Sequence, residues 1–367
     1  MSPTSRKARV RALTGLSALA LAATGFAAAP AAQADQPGSE FAGNSHPYRH
    51  GVVPTKESAE HANAASAAAT RTSNLKFGGG VDGIGVTTGA PKVYVVIWGS
   101  QWGTAGTDAN GYTTMSGDPS GEAVRAQQLY KGLGTNNELW SGVLTQYCEG
   151  VAKGATSCPS TASHVGYPTG GALAGVWVDN SAAAPGQATG NQIATEAIAA
   201  AGHFGNTTAA SNRNAQYIVL SPTGTHPDGF NTSTGQFCAW HDWNGDTTLS
   251  GGAATSPYGD VSFSNNPYVT DMGTSCGQNY VNSGSAGLLD GVTIVYGHEY
   301  AETVTDQNPA GGWTDSSGAE NGDKCAWKGT GGTGGAQNVN FATGSFAMQA
   351  TWSNAVSACQ ISHAIVP

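Results

Sequence analysis

Three runs of apolar residues along the chain have the length and composition of buried strands. "PKVYVVIWG" at 91–99 is β-branched and aromatic, and "ALAGVWVD" at 172–179 and "AQYIVLSP" at 215–222 follow the same pattern. Helical stretches lie between them. Asp118-Pro119-Ser120-Gly121-Glu122 is a start signal for a helix through "AVRAQQLYKGLG", which stops at a glycine, and "GNQIATEAIAAAGHFG" at 190–205 predicts a second. Strands alternating with helices imply an α/β or α+β fold in which a layered mixed β-sheet packs against helices. The stretch after 222, through Cys238 and Cys276, is rich in Gly, Ser and Asn and reads as long irregular loops, the natural place for a binding surface.

A further helix is predicted over "SAGLLDGVTIVYGHEYAETVTD", 285–306, ended by Asn308-Pro309. Leu288, Val292, Val295, Glu299 and Glu302 fall at i, i+4, i+7, i+11 and i+14, so an apolar stripe runs directly into two carboxylates. Ile294 and Ala301 lie near His298, which predicts burial on most sides, and a buried charge needs a partner. Residues 290–323 hold seven of the chain's 24 acids and no Lys or Arg. An even spread over 367 positions would place about 2 there.

His298-Glu299-Tyr300-Ala301-Glu302 differs from the zincin signature H-E-x-x-H in its last position. In that logic two ligands at i and i+4 project toward one ion, and the glutamate after the first ligand polarises a metal-bound water. The expected assignment is His298 and Glu302 as ligands and Glu299 as general base. Glu320 is the third ligand, because the turn at 309–312 can bring it back over the helix. Asp306 is a poor third ligand, eight residues and about 12 Å of rise beyond His298. One divalent metal is expected, zinc first, with calcium or manganese as the harder alternatives for a carboxylate-rich set. The bland reading makes Glu302 a surface acid and Ser317–Glu320 a capping box. His241, held close to Cys238, is a candidate catalytic group that orients substrate or stabilises an oxyanion. Asp242-x-Asn244-x-Asp246 lacks the glycine and glutamate of a calcium loop.

Composition sets the compartment. Residues 1–34 carry Arg6, Lys7, Arg9 and Arg11, an apolar run, and Ala32-Gln33-Ala34 before Asp35, the pattern of a signal peptide on a secreted, extracellular protein. Without those four cations, the 15 Lys and Arg become 11 against 24 Asp and Glu, a net charge of −13, which argues against nucleic-acid binding. No later stretch is long and apolar enough for a membrane span. Residues 35–75 are rich in Ala, Ser and Pro and are expected to form a disordered or pro-like arm, leaving 76–367 as a single globular domain, taken to be a monomer. Six cysteines in an exported chain favour disulfides. Shortest-loop closure selects Cys148 with Cys158, Cys238 with Cys276, and Cys325 with Cys359 from 15 connectivities.

The segment His298–Glu302, the turn from Thr305 to Pro309, and Glu320 with Cys325 resemble the Exordium, or phosphate-induced, family of secreted cell-wall proteins and its bacterial relatives. "NAQYIVLSPTGTHPDGF" and Cys238-Ala239-Trp240-His241 are similar to that family's upstream strand and C-G-F-H step. The resemblance covers roughly 215–325; Asp323 and 330–338 have no counterpart in it. It implies an extracellular, cell-wall-associated protein and strengthens the site without naming a substrate. Two functions follow as expectations. One is a secreted, zincin-like metallopeptidase acting on an extracellular peptide or cell-wall substrate. The other is a non-catalytic cell-wall binding protein that keeps a structural metal or acid cluster.

Overall fold

The computed structural model describes residues 51–65, 73–233 and 236–367. The predicted leader, its cleavage site and the rest of the arm lie outside the described residues. Six strands form one mixed sheet: β1 (Val52–Pro54), β2 (Lys92–Trp98), β3 (Leu173–Asp179), β4 (Ala215–Leu220), β5 (Phe237–Trp243) and β6 (Ser262–Asn266), in the order β1-β5-β6-β4-β2-β3. The four strands β6, β4, β2 and β3 run parallel; β5 is antiparallel to β6, and β1 is antiparallel to β5. The expected layered mixed sheet is present, and three of its strands are those legible in the sequence.

Alternation along the strands divides the core into two layers. Val93, Val95 and Ile97 of β2 face one side, with Leu129 of helix α2 (Glu122–Gly132) and Val292 and Val295 of the central helix, numbered α4 below. Tyr94 and Val96 face the other, with Ile193, Ala194 and Ala197 of helix α3 (Gly190–His203). Helix α2 begins where Asp118 accepts the backbone N–H groups of Gly121, Glu122 and Ala123 at 2.9, 3.0 and 2.9 Å. A capping box starts α3: Thr189 Oγ1 accepts from Gln192 N, and the Gln192 side chain accepts from Thr189 N.

Two features depart from expectation. The region read as irregular loops contributes β5 and β6, which complete the sheet. β6 is "SFSNN", buried throughout yet mostly polar, so it carries no apolar signature. Within the arm, Val52–Pro54 pairs with β5, and Lys56–Ala65 forms helix α1. An arm with too few apolar residues for a core of its own gains order here from the backbone groups of the β5 edge.

Three disulfides join Cys148–Cys158, Cys238–Cys276 and Cys325–Cys359, the pairing that shortest-loop closure selects. Such bonds belong to oxidising compartments. No helix among the described residues is long and apolar enough to cross a membrane.

Glu196 on α3 is 7% exposed. Burial, and then the neighbouring Asp179, raise its pKa to about 8. Folding therefore favours the neutral carboxyl, and the stability this contributes is full at acidic pH and lost as pH rises through 8. Glu196→Gln is expected to match the parent at pH 4.5 and to exceed it by roughly 1–2 kcal/mol at pH 9 in urea unfolding. No gain at pH 9 would reject this account.

Candidate metal centre

Helix α4 (Asp290–Thr305) is buried along its whole length, packed by the sheet on one side and by α2 and a C-terminal hairpin on others. The predicted helix began earlier, at Ser285, and placed Leu288 on its core stripe. Leu288 instead lies before α4 and is 36% exposed, because Asp290 takes the chain's first turn by accepting from Val281 N and Asn282 N at 2.8 and 2.6 Å. The other end stops at Asp306, which accepts from the N–H groups of Ala310 and Gly312. Those contacts commit Asp306 to the turn.

Spacing of i and i+4 puts His298 and Glu302 on one face, with His298 Nε2 2.8 Å from Glu302 Oε1. The other imidazole nitrogen, Nδ1, is 3.1 Å from Gln349 Oε1. Gln349 Nε2 donates to the carbonyls of Gly322 and Ala350 at 2.9 and 3.3 Å, so its oxygen must accept. His298 Nδ1 therefore carries a proton, and Nε2, directed at Glu302, is the nitrogen that would face an ion once it gave up its own proton.

Strand β5 supplies the second imidazole. Trp240 packs with Phe263 on the α3 side of the sheet, so the next residue, His241, points to the α4 side. There His241 Nε2 lies 3.2 Å from Glu320 Oε2 and 3.8 Å from Glu302 Oε2. The turn after α4 returns Glu320 and Asp323 over the helix. Asp323 N donates to Glu302 Oε1 at 2.9 Å, Glu320 N donates to Asp323 Oδ2 at 3.0 Å, and Asp323 Oδ1 is 3.7 Å from His298 Nε2. Close packing demands a glycine in this loop: a Cβ on Gly322 would lie 2.8 Å from Glu302 Oε1 and 2.9 Å from the His298 ring. Cys325–Cys359 anchors the loop, and Cys238–Cys276 anchors β5.

Two triads result, His241–Glu302–Glu320 and His298–Glu302–Asp323, each with ligand atoms within 4.8 Å of one another and joined through Glu302. His241, His298, Glu299, Glu302 and Glu320 are 0% exposed, and Asp323 is 6%. Both Glu299 oxygens, Glu302 Oε2, Glu320 Oε1 and Asp323 Oδ1 lack hydrogen-bond partners among the described residues. Burial pushes the Glu299 and Glu320 carboxyls well above the ordinary range, and neighbouring carboxylates add to the shift. For Glu299 the His298 charge and the backbone of Val53 act in the opposite sense. Burial disfavours charge on His298, but Glu302, Asp323 and Glu299 hold its pKa well above that of a free histidine. Four carboxyl groups crowd two imidazoles, and among the described residues no Lys or Arg pairs with them.

The expected trio His298, Glu302 and Glu320 is divided between the two triads, with Glu302 common to both. His241, expected to orient substrate, lies in the cluster beside Glu320. Asp323 was absent from the expected ligands; its one signal was its place in the acid-rich stretch, three residues after Glu320. That stretch is not all one site. Asp290 ties the loop before α4 by accepting from Val281 N and Asn282 N, and Asp315 pairs at 2.7 Å with Lys324, one residue beyond the cation-free window. No helix forms at Ser317–Glu320, and Ser317 Oγ donates to Asp315 Oδ1 at 2.6 Å, so the capping-box reading does not hold. Tyr296 donates to Glu122 and Tyr300 packs near Tyr130 and Trp140, which makes both structural. In the sequence that resembled half a calcium loop, Asp242 and Asp246 accept from the nearby backbone N–H groups of Trp243 and Thr248 at 2.8 and 2.6 Å. No protein family, curated protein or solved structure matches this chain.

Proposed function

We propose that this chain is a secreted, metal-dependent hydrolase of peptides in which Glu299 is the general base. The observation that carries this reading is the set of buried carboxylate oxygens, at Glu302, Glu320 and Asp323, that have no hydrogen-bond donor among the described residues and lie beside two imidazoles. Leaving such groups both ionised and unpaired costs several kcal/mol each, and a cation removes that cost. Either triad, His298–Glu302–Asp323 or His241–Glu302–Glu320, would hold a divalent ion with Glu302 as the shared ligand. Imidazole with carboxylate suits zinc, followed by manganese and calcium. When bound, such an ion supplies Lewis acidity toward a carbonyl and acidity to a water. Glu299 follows His298 directly and neither of its oxygens has a hydrogen-bond partner among the described residues, so it would be the group to accept a proton from a water there and return it to a leaving amine. Gln349 fixes the His298 ring and its tautomer. The leader-like segment and the disulfides support export.

Elemental analysis of the purified chain tests the reading, together with casein hydrolysis, by a form whose centre is open, before and after chelation. We expect stoichiometric zinc, at least 100-fold loss of hydrolysis on its removal and recovery on its return. A metal-free parent purified without chelators would sink the proposal.

A second reading, a cell-wall binding protein with a structural ion, draws support from the complete burial of the cluster. Bound metal without hydrolysis of any peptide, in a form whose centre is open, would favour it.

A further inference from the structure

The burial of the centre has a visible source, because the covering strand belongs to the N-terminal arm. β5 carries His241, and the backbone of its outer edge is occupied by residues 51–55. His241 N donates to the Gly51 carbonyl at 3.1 Å and Thr55 N donates to the Gln236 carbonyl at 3.2 Å, while Val52 and Val53 stand opposite Trp240 and Ala239. Trp327 Nε1 donates to the Pro54 carbonyl at 2.8 Å on the far side of the strand. Val52, Val53, Pro54 and Thr55 are all buried, and the Val53 backbone is close enough to act on the Glu299 carboxyl. Gly51 has φ +58° and lies flat on the second imidazole: a Cβ there would be 1.9 Å from His241 Cδ2 and 2.1 Å from Nε2.

Resting on the hydrolase reading, we propose that residues 51–55 are an internal, peptide-like ligand. They occupy the groove where an extended polypeptide substrate binds, antiparallel to β5, and hold the full chain in a latent state. Three observations fit a removable cover better than a structural strand. β1 has three residues and sits at the sheet edge, so its loss leaves the five strands β5-β6-β4-β2-β3 intact. The helix that follows it, "KESAEHANAA", has no apolar side chain larger than alanine. A water-activating base at 0% exposure cannot meet a polypeptide until something opens, and this segment lies beside it. The substrate class follows from the mode of pairing. Backbone hydrogen bonds to a sheet edge recognise any extended peptide, and side-chain pockets select among them. An extended polypeptide is the occupant that reproduces what residues 51–55 do.

Release is testable in the full chain with Gly51→Val, which drives a side chain into His241, and Val53→Pro, which removes the N–H and ring space of a paired position. The probe is a fluorescein-labelled synthetic peptide with the sequence of residues 51–57, followed by anisotropy; casein hydrolysis and zinc content are measured alongside. We expect both variants to bind the peptide at least tenfold more tightly than the parent and to hydrolyse casein at least tenfold faster. Their zinc content should not change, and the His241 amide should exchange at least tenfold faster. Hydrogen exchange of β2 and β4 amides reports whether each variant remains folded. Folded variants with parental peptide binding and parental exchange at His241 would overturn the inference. Gain of peptide binding without hydrolysis would leave the internal ligand standing and sink the hydrolase reading.

Discussion

Glu302→Ala is expected to strip the centre of all bound metal, because Glu302 is the one residue common to both triads. Loss of His241 or Asp323 removes one edge of the cluster; loss of Glu302 removes its middle. In a released form such as Gly51→Val, hydrolysis should fall at least 1,000-fold, since loss of the ion would remove both Lewis acidity and water activation. The stability change separates a metal site from a merely polar core. An ion present at 1,000 times its Kd stabilises the fold by about 4 kcal/mol, which the variant cannot recover. Against metal-free parent, however, Glu302→Ala should be no less stable, because it removes one of four crowded carboxyl groups from a buried site. The expected order of melting temperatures is metal-loaded parent highest, then Glu302→Ala, with chelated parent equal to or below it. A variant that keeps stoichiometric zinc would remove Glu302 from the ligands.

Glu299→Gln has the second large effect, and a different signature. Its carboxyl makes no hydrogen bond among the described residues, and glutamine is its isostere, so metal content and folding should be preserved. Hydrolysis in a released form, such as Gly51→Val, should fall by at least 100-fold, within the range of losing a general base. The comparison belongs in the released form because Glu299 is fully buried in the full chain. Equal rates in Gly51→Val with and without the second substitution would exclude Glu299 as the base and return the assignment to another carboxyl.

Much of this architecture was legible because apolar runs carry their own address. Strands predicted at 91–99, 172–179 and 215–222 are Lys92–Trp98, Leu173–Asp179 and Ala215–Leu220. β6 was not legible, since Ser262, Ser264, Asn265 and Asn266 are buried polar residues that no hydrophobic pattern distinguishes from a loop. β1 was too short and too poor in neighbours to register. In the centre, His298, Glu299 and Glu302 could be read from helical spacing. Asp323 and the role of His241 could not, because they depend on how a turn and an edge strand meet α4, a matter of tertiary placement. Lys324 shows the converse error: a window that closes one residue early makes an acid-rich stretch look more deprived of cations than it is.

The hydrogen bond from His298 to Gln349 also has a kinetic meaning. It joins residues 51 positions apart, and the cluster it steadies draws on β5, α4, the Glu320 loop and a segment near 349. Loop closure over such separations is unfavourable until the sheet and α4 have already packed, so the His298 ring is oriented late in folding. A nascent or partly folded chain would thus offer flexible, unoriented carboxylates to any passing cation. If the centre holds an ion, selection for one that prefers imidazole in fixed geometry would begin only once the segment around residue 349 has docked.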